Sequence, residues 1–131
     1  MEQARVLKII WFSFMASVAM FQLVGFVGSP PDRAMDPVFY VAIGVCAVGS
    51  AAFGGVGIPL FMRHLPAQNA FLIRYAFYES VALYGVVLCF MGGGLLPSLL
   101  AGVATWTLLL LSFPTEERFT AWEVRRLGDG L

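Results

Sequence analysis

The sequence predicts an all-α membrane protein of four transmembrane helices that ends in a short amphipathic helix. Three observations predict it. Of 131 residues, 60% are apolar and 12% charged, with a mean hydropathy of +0.83; in a soluble domain about a quarter of residues carry charge. Four apolar runs approach the roughly 20 residues that a helix needs to cross a hydrocarbon core about 30 Å thick. Proline, glycine and polar residues punctuate the chain between them. Together they form one membrane domain with the bilayer as its surroundings.

Span one is placed at residues 9–28. Arg5 and Lys8 precede it, as in a secretory signal, but the run outlasts an h-region of about 7 to 15 residues and no small-x-small cleavage site stands out before "SPP", so it is expected to stay. "GSPPDRAMDP" (28–37) ends it. Span two, 37–62, is long enough to tilt, and Pro59, which lacks an amide donor, is placed to kink its last turn. "RHLPAQN" (63–69) leads to span three, 70–92, and "GGGLLPS" (92–98) makes an uncharged turn into span four, 97–113. The tail, 114–131, reads as a helix capped by Thr115, with Glu116 and Glu117 at its positive end, Arg125 and Arg126 at its negative end and Gly128 as its stop. Phe119 and Trp122 share one face of it. That face is expected on the membrane surface, with docking onto a partner subunit as the alternative.

Basic residues near span ends are retained in the cytoplasm. Arg5, Lys8, Arg63, Arg74, Arg118, Arg125 and Arg126 all fall on the side of the two termini and the second loop, and Arg33 alone falls on the other. Both termini are therefore expected in the cytoplasm, in a bacterial-type inner membrane. A net charge of zero argues against nucleic acid as a partner; the short basic patches suit anionic headgroups instead. No nucleotide fingerprint, catalytic triad or metal-ligand spacing occurs, so no catalytic residue, cofactor or metal is expected. Cys46 and Cys89 differ in depth by about 9 Å and read as small apolar fillers. Gln22, Ser13, Ser17, Thr105 and Thr107 read as packing residues, and Trp11, Tyr40 and Trp122 fall where aromatic belts form.

Glu79 is the one acidic residue inside a span. It lies about 13 Å from the cytoplasmic start of span three, near the bilayer midplane, where an ionised carboxylate is unfavourable by a few kcal/mol. Such a group holds its proton in lipid and releases it to water or a cation, which suits the movement of a proton or small cation. The alternative is a neutral carboxyl group that hydrogen-bonds a neighbouring helix, contributing about 1 kcal/mol. Ser80 adjoins Glu79, Tyr75 lies about 40° from it on the same helical face, and Tyr84 reaches back only as a lid. Hydroxyl groups serve as donors to a carboxylate or as ligands to a hard cation. The helix expected opposite, "GVCAVGSAAFGG" (44–55), carries small residues that permit close packing, among them Gly44, Gly49 and Gly54.

"LIRYAFYESVALYGVVL" (72–88) resembles the carboxylate-bearing helix of the proteolipid, or c subunit, of rotary ATP synthases, which reads Ala-x-x-Glu-Ser/Thr-x-Ala-Leu-Tyr-Gly-x-Val. Ala76, Glu79, Ser80, Ala82, Leu83, Tyr84, Gly85 and Val87 match it. "RHLP" (63–66) resembles that family's polar Arg-Gln-Pro loop. The resemblance covers residues 41–91 and implies a central hairpin in which Glu79 carries the ion, Ser80 and Tyr84 shape its site, and the loop with Arg63 and His64 meets a cytoplasmic partner. Sodium-binding members use a glutamine on the inner helix; residues 37–62 contain none, and Ser50 is the nearest polar substitute, so a proton is expected rather than sodium. Spans one and four exceed a two-helix proteolipid, and no internal repeat relates them. The expectation is an oligomeric membrane proteolipid, with itself or other membrane subunits as partners, translocating a proton through Glu79. Its rival is a non-transporting accessory or scaffold subunit in which Glu79 only joins helices.

Overall fold

The computed structural model describes residues 2–28 and 36–129, and these are helical throughout apart from short turns, with no strand among them. The first loop, with its "SPPDRAM" and Arg33, lies outside the described residues, as do Gly130 and Leu131. Six α-helices follow in order: α1 (Glu2–Gly28), α2 (Pro37–Ala52), α3 (Ile58–Phe61), α4 (Ala67–Leu88), α5 (Leu95–Leu111) and α6 (Glu116–Asp129). Three spans, Glu2–Gly28, Pro37–Phe61 and Ala67–Gly93, are long and apolar enough to cross a membrane; α5 with α6 makes a fourth if that pair, bent by 75°, counts as one. These lengths are compatible with an integral membrane protein.

Helix α1 starts earlier than its apolar run because Gln3, Ala4, Arg5 and Val6 contain no breaker. It buries Ala4, Leu7, Trp11, Val18 and Gly25, a spacing of three, four, seven and seven that keeps one stripe against its neighbours. The Trp11 indole N–H donates to the Leu109 carbonyl of α5 at 2.6 Å. Helix α2 is capped by the Asp36 carboxylate, which accepts from the Val38 N–H at 3.0 Å, with Pro37 in the first turn where its missing donor costs nothing.

Where a kink was expected at Pro59, a π-helical turn, Phe53–Gly57, precedes the proline and the helix continues through it to Phe61. In that wider turn each carbonyl looks to the amide five residues on: Ile58 N–H bonds Phe53 O. The Gly54 carbonyl would look to Pro59, which has no N–H. Arg74 of α4 supplies the donor instead, its Nε reaching Gly54 O at 2.9 Å. Absence of a side chain at Gly54 makes this approach possible, since a Cβ there would stand 2.7 Å from the Tyr78 ring.

Helix α4 is the centre of the bundle, packing on α1, α2 and α5. It meets α5 at Gly85, where a Cβ would lie 2.4 Å from Ala101 Cβ and 3.0 Å from the Pro97 carbonyl. A second π-turn, Cys89–Gly93, ends it; Gly92 (φ 97°) and Gly94 (φ 85°) adopt backbone conformations that side chains disfavour, and the chain reverses there into α5. Cys46 is exposed; Cys89 is buried, and its thiol donates to Gly25 O at 3.6 Å.

The tail departs from its expected place. Thr115 does cap α6, its Oγ1 accepting from Arg118 N at 3.2 Å. Yet Phe119 and Trp122 are buried in the core with Leu7, Ile58, Phe71 and Tyr75, rather than laid on a membrane surface or left for a partner. The bend after α5 turns α6 back beneath the bundle, where Trp122 Nε1 donates to Leu65 O at 2.9 Å. Helix α4 needs this contact, because the residue before it is Pro66, which offers no side-chain cap. Glu123 fills that role across the fold: its Oε1 accepts from Ala67 N at 2.7 Å while Oε2 holds Arg126 at 2.6 Å.

Partial burial by itself would raise the Glu123 carboxyl, but the Ala67 N–H and the Arg126 guanidinium together hold it below its ordinary 4.5. A carboxylate depressed in this way stabilises the fold fully above its unfolded pKa, and the contribution fades as pH falls through the folded value. Hydrogen exchange of residues 116–128, corrected for intrinsic rate, is therefore expected to report faster opening at about pH 3.5 than at about pH 6. Glu123→Gln should open at the faster level at both. Equal opening of the native chain at the two pH values would show that the carboxylate does not hold α6.

Candidate functional site

Glu79 lies on α4 twelve residues beyond Ala67, about 18 Å along the axis. It is half-buried. Among the described residues its carboxyl group makes no hydrogen bond and no ion pair, so nothing in this chain fastens it to a neighbouring helix. Its position around the helix accounts for that. Leu72, Ala76, Leu83 and Phe90, at offsets of minus seven, minus three, plus four and plus eleven, share its side of α4 and are all exposed. Glu79 sits on the rim of this apolar stripe, between it and the packed face that carries Tyr75, Ala82 and Val86.

The expected companions divide. Ser80 is next in the chain, but its hydroxyl donates to Phe77 O of its own helix at 2.5 Å. Tyr75 shares the helical face as the periodicity requires, yet its side chain is wholly buried and its hydroxyl donates to Ser112 O at 3.1 Å, beyond the end of α5. That bond directs Tyr75 to the junction with α6 instead of to the carboxyl group. Tyr84 is half-buried with no hydrogen bond among the described residues, about one and a half turns beyond Glu79.

Helix α2 packs against α4 in an antiparallel register set by three contacts. Phe53 and Phe77 rings lie 4.7 Å apart, Gly54 meets Tyr78, and the Tyr40 hydroxyl donates to Gly93 O at 3.3 Å. Ser50 accordingly falls at the level of residues 80–83, within about one turn of Glu79. Of the three glycines expected to bring these helices together, Gly54 alone does so. A side chain at Gly44 or Gly49 would meet nothing within 4 Å. Both line the outer face of α2 with Tyr40, Val41, Val45 and Val48, because a helix that touches a single neighbour can bury only one narrow stripe. Close approach instead falls to Gly85 against Ala101, Gly25 against Ser98 and Gly102 against Gln22, on the α1, α4 and α5 seams.

Arg63 and His64 are exposed in the loop between α3 and α4, while Leu65 and Ala67 beside them are covered by α6. Among the described residues no cluster of histidine, cysteine or acidic side chains could hold a metal ion. Sequence reasoning missed Arg74 as a structural group. Its signal was present in the pairing of a span-embedded arginine with a proline that deprives a carbonyl of its donor.

Among the described residues, the fold and the site define an all-helical protein with three to four membrane-length helices and a carboxyl group on the central helix that makes no hydrogen bond or ion pair. No family model, curated protein or solved structure matches the chain.

Proposed function

We propose that this protein is a proton-carrying subunit of a membrane assembly, similar in its α2–α4 hairpin to a rotary proteolipid, with Glu79 as the group that binds and releases the proton. The observation that carries the reading is the state of Glu79: half-exposed, without a partner among the described residues, and at the edge of an apolar stripe. A carboxyl group used as interhelical glue would have its acceptor or donor in the fold, because an unsatisfied polar group in lipid is costly. A carrier has to keep that valence free. In the carrier cycle Glu79 takes up the proton on one side of the assembly and hands it to water or to a partner subunit on the other. Tyr84 and Ser50 are the polar groups placed to accompany it. Catalysis of any bond-breaking step belongs to partners of the assembly.

Docking of α6 beside the 63–66 loop favours a second reading, an accessory or scaffold subunit, since it covers one flank of the surface that a proteolipid loop offers to a stalk. A lipid-soluble carbodiimide separates the two. It adds to a carboxyl group in the apolar phase, so the carrier reading expects one labelled residue, Glu79, with labelling that disappears in Glu79→Gln. If Glu79 stays unlabelled in membranes while the surface carboxylates react, the scaffold reading replaces the carrier.

A further inference from the structure

Bent beneath the bundle, α6 forms one wall of a half-open cavity of about 270 Å³ with the end of α5 and the start of α4. Arg74, Arg118 and Arg125 line it, with Phe71, Trp122 and Pro59 as apolar walls. A second cavity of about 210 Å³ shares Pro59, Trp122 and Arg125 with the first and adds Arg63. Four of the chain's eight basic residues thus converge on one place from α4, α6 and the 63–66 loop. No acidic side chain lines either cavity among the described residues; the nearby Glu123 is engaged with Ala67 and Arg126.

Donors remain for a ligand. Arg74 uses Nε on Gly54 O, and its two terminal nitrogens bond nothing among the described residues. Arg118 uses Nη1 on the Leu111 and Phe113 carbonyls and keeps its other nitrogens. Arg125 makes no hydrogen bond among the described residues. Like charges gathered at a partly apolar site repel one another, and an anion reverses the sign of that interaction. Guanidinium groups present paired N–H donors at the spacing of phosphate oxygens, which a lysine cluster would not.

We infer that this arginine-lined cavity binds a phosphate oxyanion, at the end of the bundle where α5 turns into α6. Phosphate chemistry reaches such a site from two sources, the headgroup of an anionic phospholipid or soluble inorganic phosphate. The full chain in neutral detergent micelles distinguishes them by native mass spectrometry, with dioleoyl phosphatidylglycerol, dioleoyl phosphatidylcholine or inorganic phosphate added separately. Wild-type protein is expected to hold one phosphatidylglycerol more tightly than phosphatidylcholine. Arg125→Gln should weaken it about tenfold, and adding Arg118→Gln about tenfold again. Arg125→Lys, which keeps the charge and loses the fork, should fall between, and Arg5→Gln, which lines neither cavity, should change nothing. Retention of inorganic phosphate with the same dependence on Arg125 supports the site with the soluble source. Equal binding of both lipids and no phosphate, or losses in Arg5→Gln as large as in Arg125→Gln, overturns it. Arg125 holds no other part of the fold, so its loss leaves the bundle intact.

Discussion

Trp122→Ala is expected to lower the stability of the folded chain by about 3 kcal/mol and to free α6 from the bundle. The indole is almost wholly buried against Phe71, and its N–H satisfies the Leu65 carbonyl. Truncation removes the largest side chain at that junction and orphans a carbonyl in a loop already short of donors, since Pro66 follows it. A difference of this size raises the open population of α6 by roughly a hundredfold, at about 1.4 kcal/mol per factor of ten. Trypsin should then cut at Arg118, Arg125 and Arg126 at a correspondingly faster rate in native micelles. Unchanged protection would mean that Phe119 and the Glu123 cap hold the helix unaided.

Arg74→Leu is the other large effect, expected at about 2 kcal/mol, because it strips the Gly54 carbonyl of its donor inside an apolar helix pair. Proline at position 59 is what makes that carbonyl dependent on Arg74. In Pro59→Ala the restored amide lies five residues beyond Gly54 and can close the π-turn within the helix, as Ile58 already does for Phe53. Thermal unfolding of the four chains in the cycle should therefore show strong non-additivity, with Arg74→Leu costing less than half as much when residue 59 is alanine. Equal costs in both backgrounds would assign the role of Arg74 to its contact over the Phe71 ring, 5.5 Å from the guanidinium carbon.

Both effects involve residues whose partners lie far along the chain, and that is where reading the sequence alone stops. Helix extents were legible to within a few residues. Span two was placed at 37–62 and runs Pro37–Phe61; span four was placed at 97–113 and α5 runs Leu95–Leu111. Span one was started seven residues late, because hydropathy marks where lipid begins and helical hydrogen bonding continues past it through Arg5 and Lys8. The capping of α6 by Thr115 was legible too, since a cap depends on three neighbouring residues. Its destination was not: an amphipathic face states that something apolar covers it, and membrane surface, partner and own bundle all satisfy the same pattern. Tyr75 shows the same limit at the site, where periodicity placed it on the face of Glu79 but its hydroxyl left for Ser112.

Composition and the length of apolar runs alone indicated that this chain is helical, that its helices are long enough for a bilayer, and that one carboxyl group falls inside an apolar run. These are local properties: each is settled by a residue's own transfer free energy and by hydrogen bonds reaching no further than the next turn. Only the tertiary structure decided which glycines let helices touch, that α6 folds back to cap α4 through Glu123, and that four arginines surround one pair of cavities. Those outcomes depend on contacts such as Leu65 with Trp122 or Gly54 with Arg74, whose strength is set by geometry across helices and leaves no periodic trace along the chain.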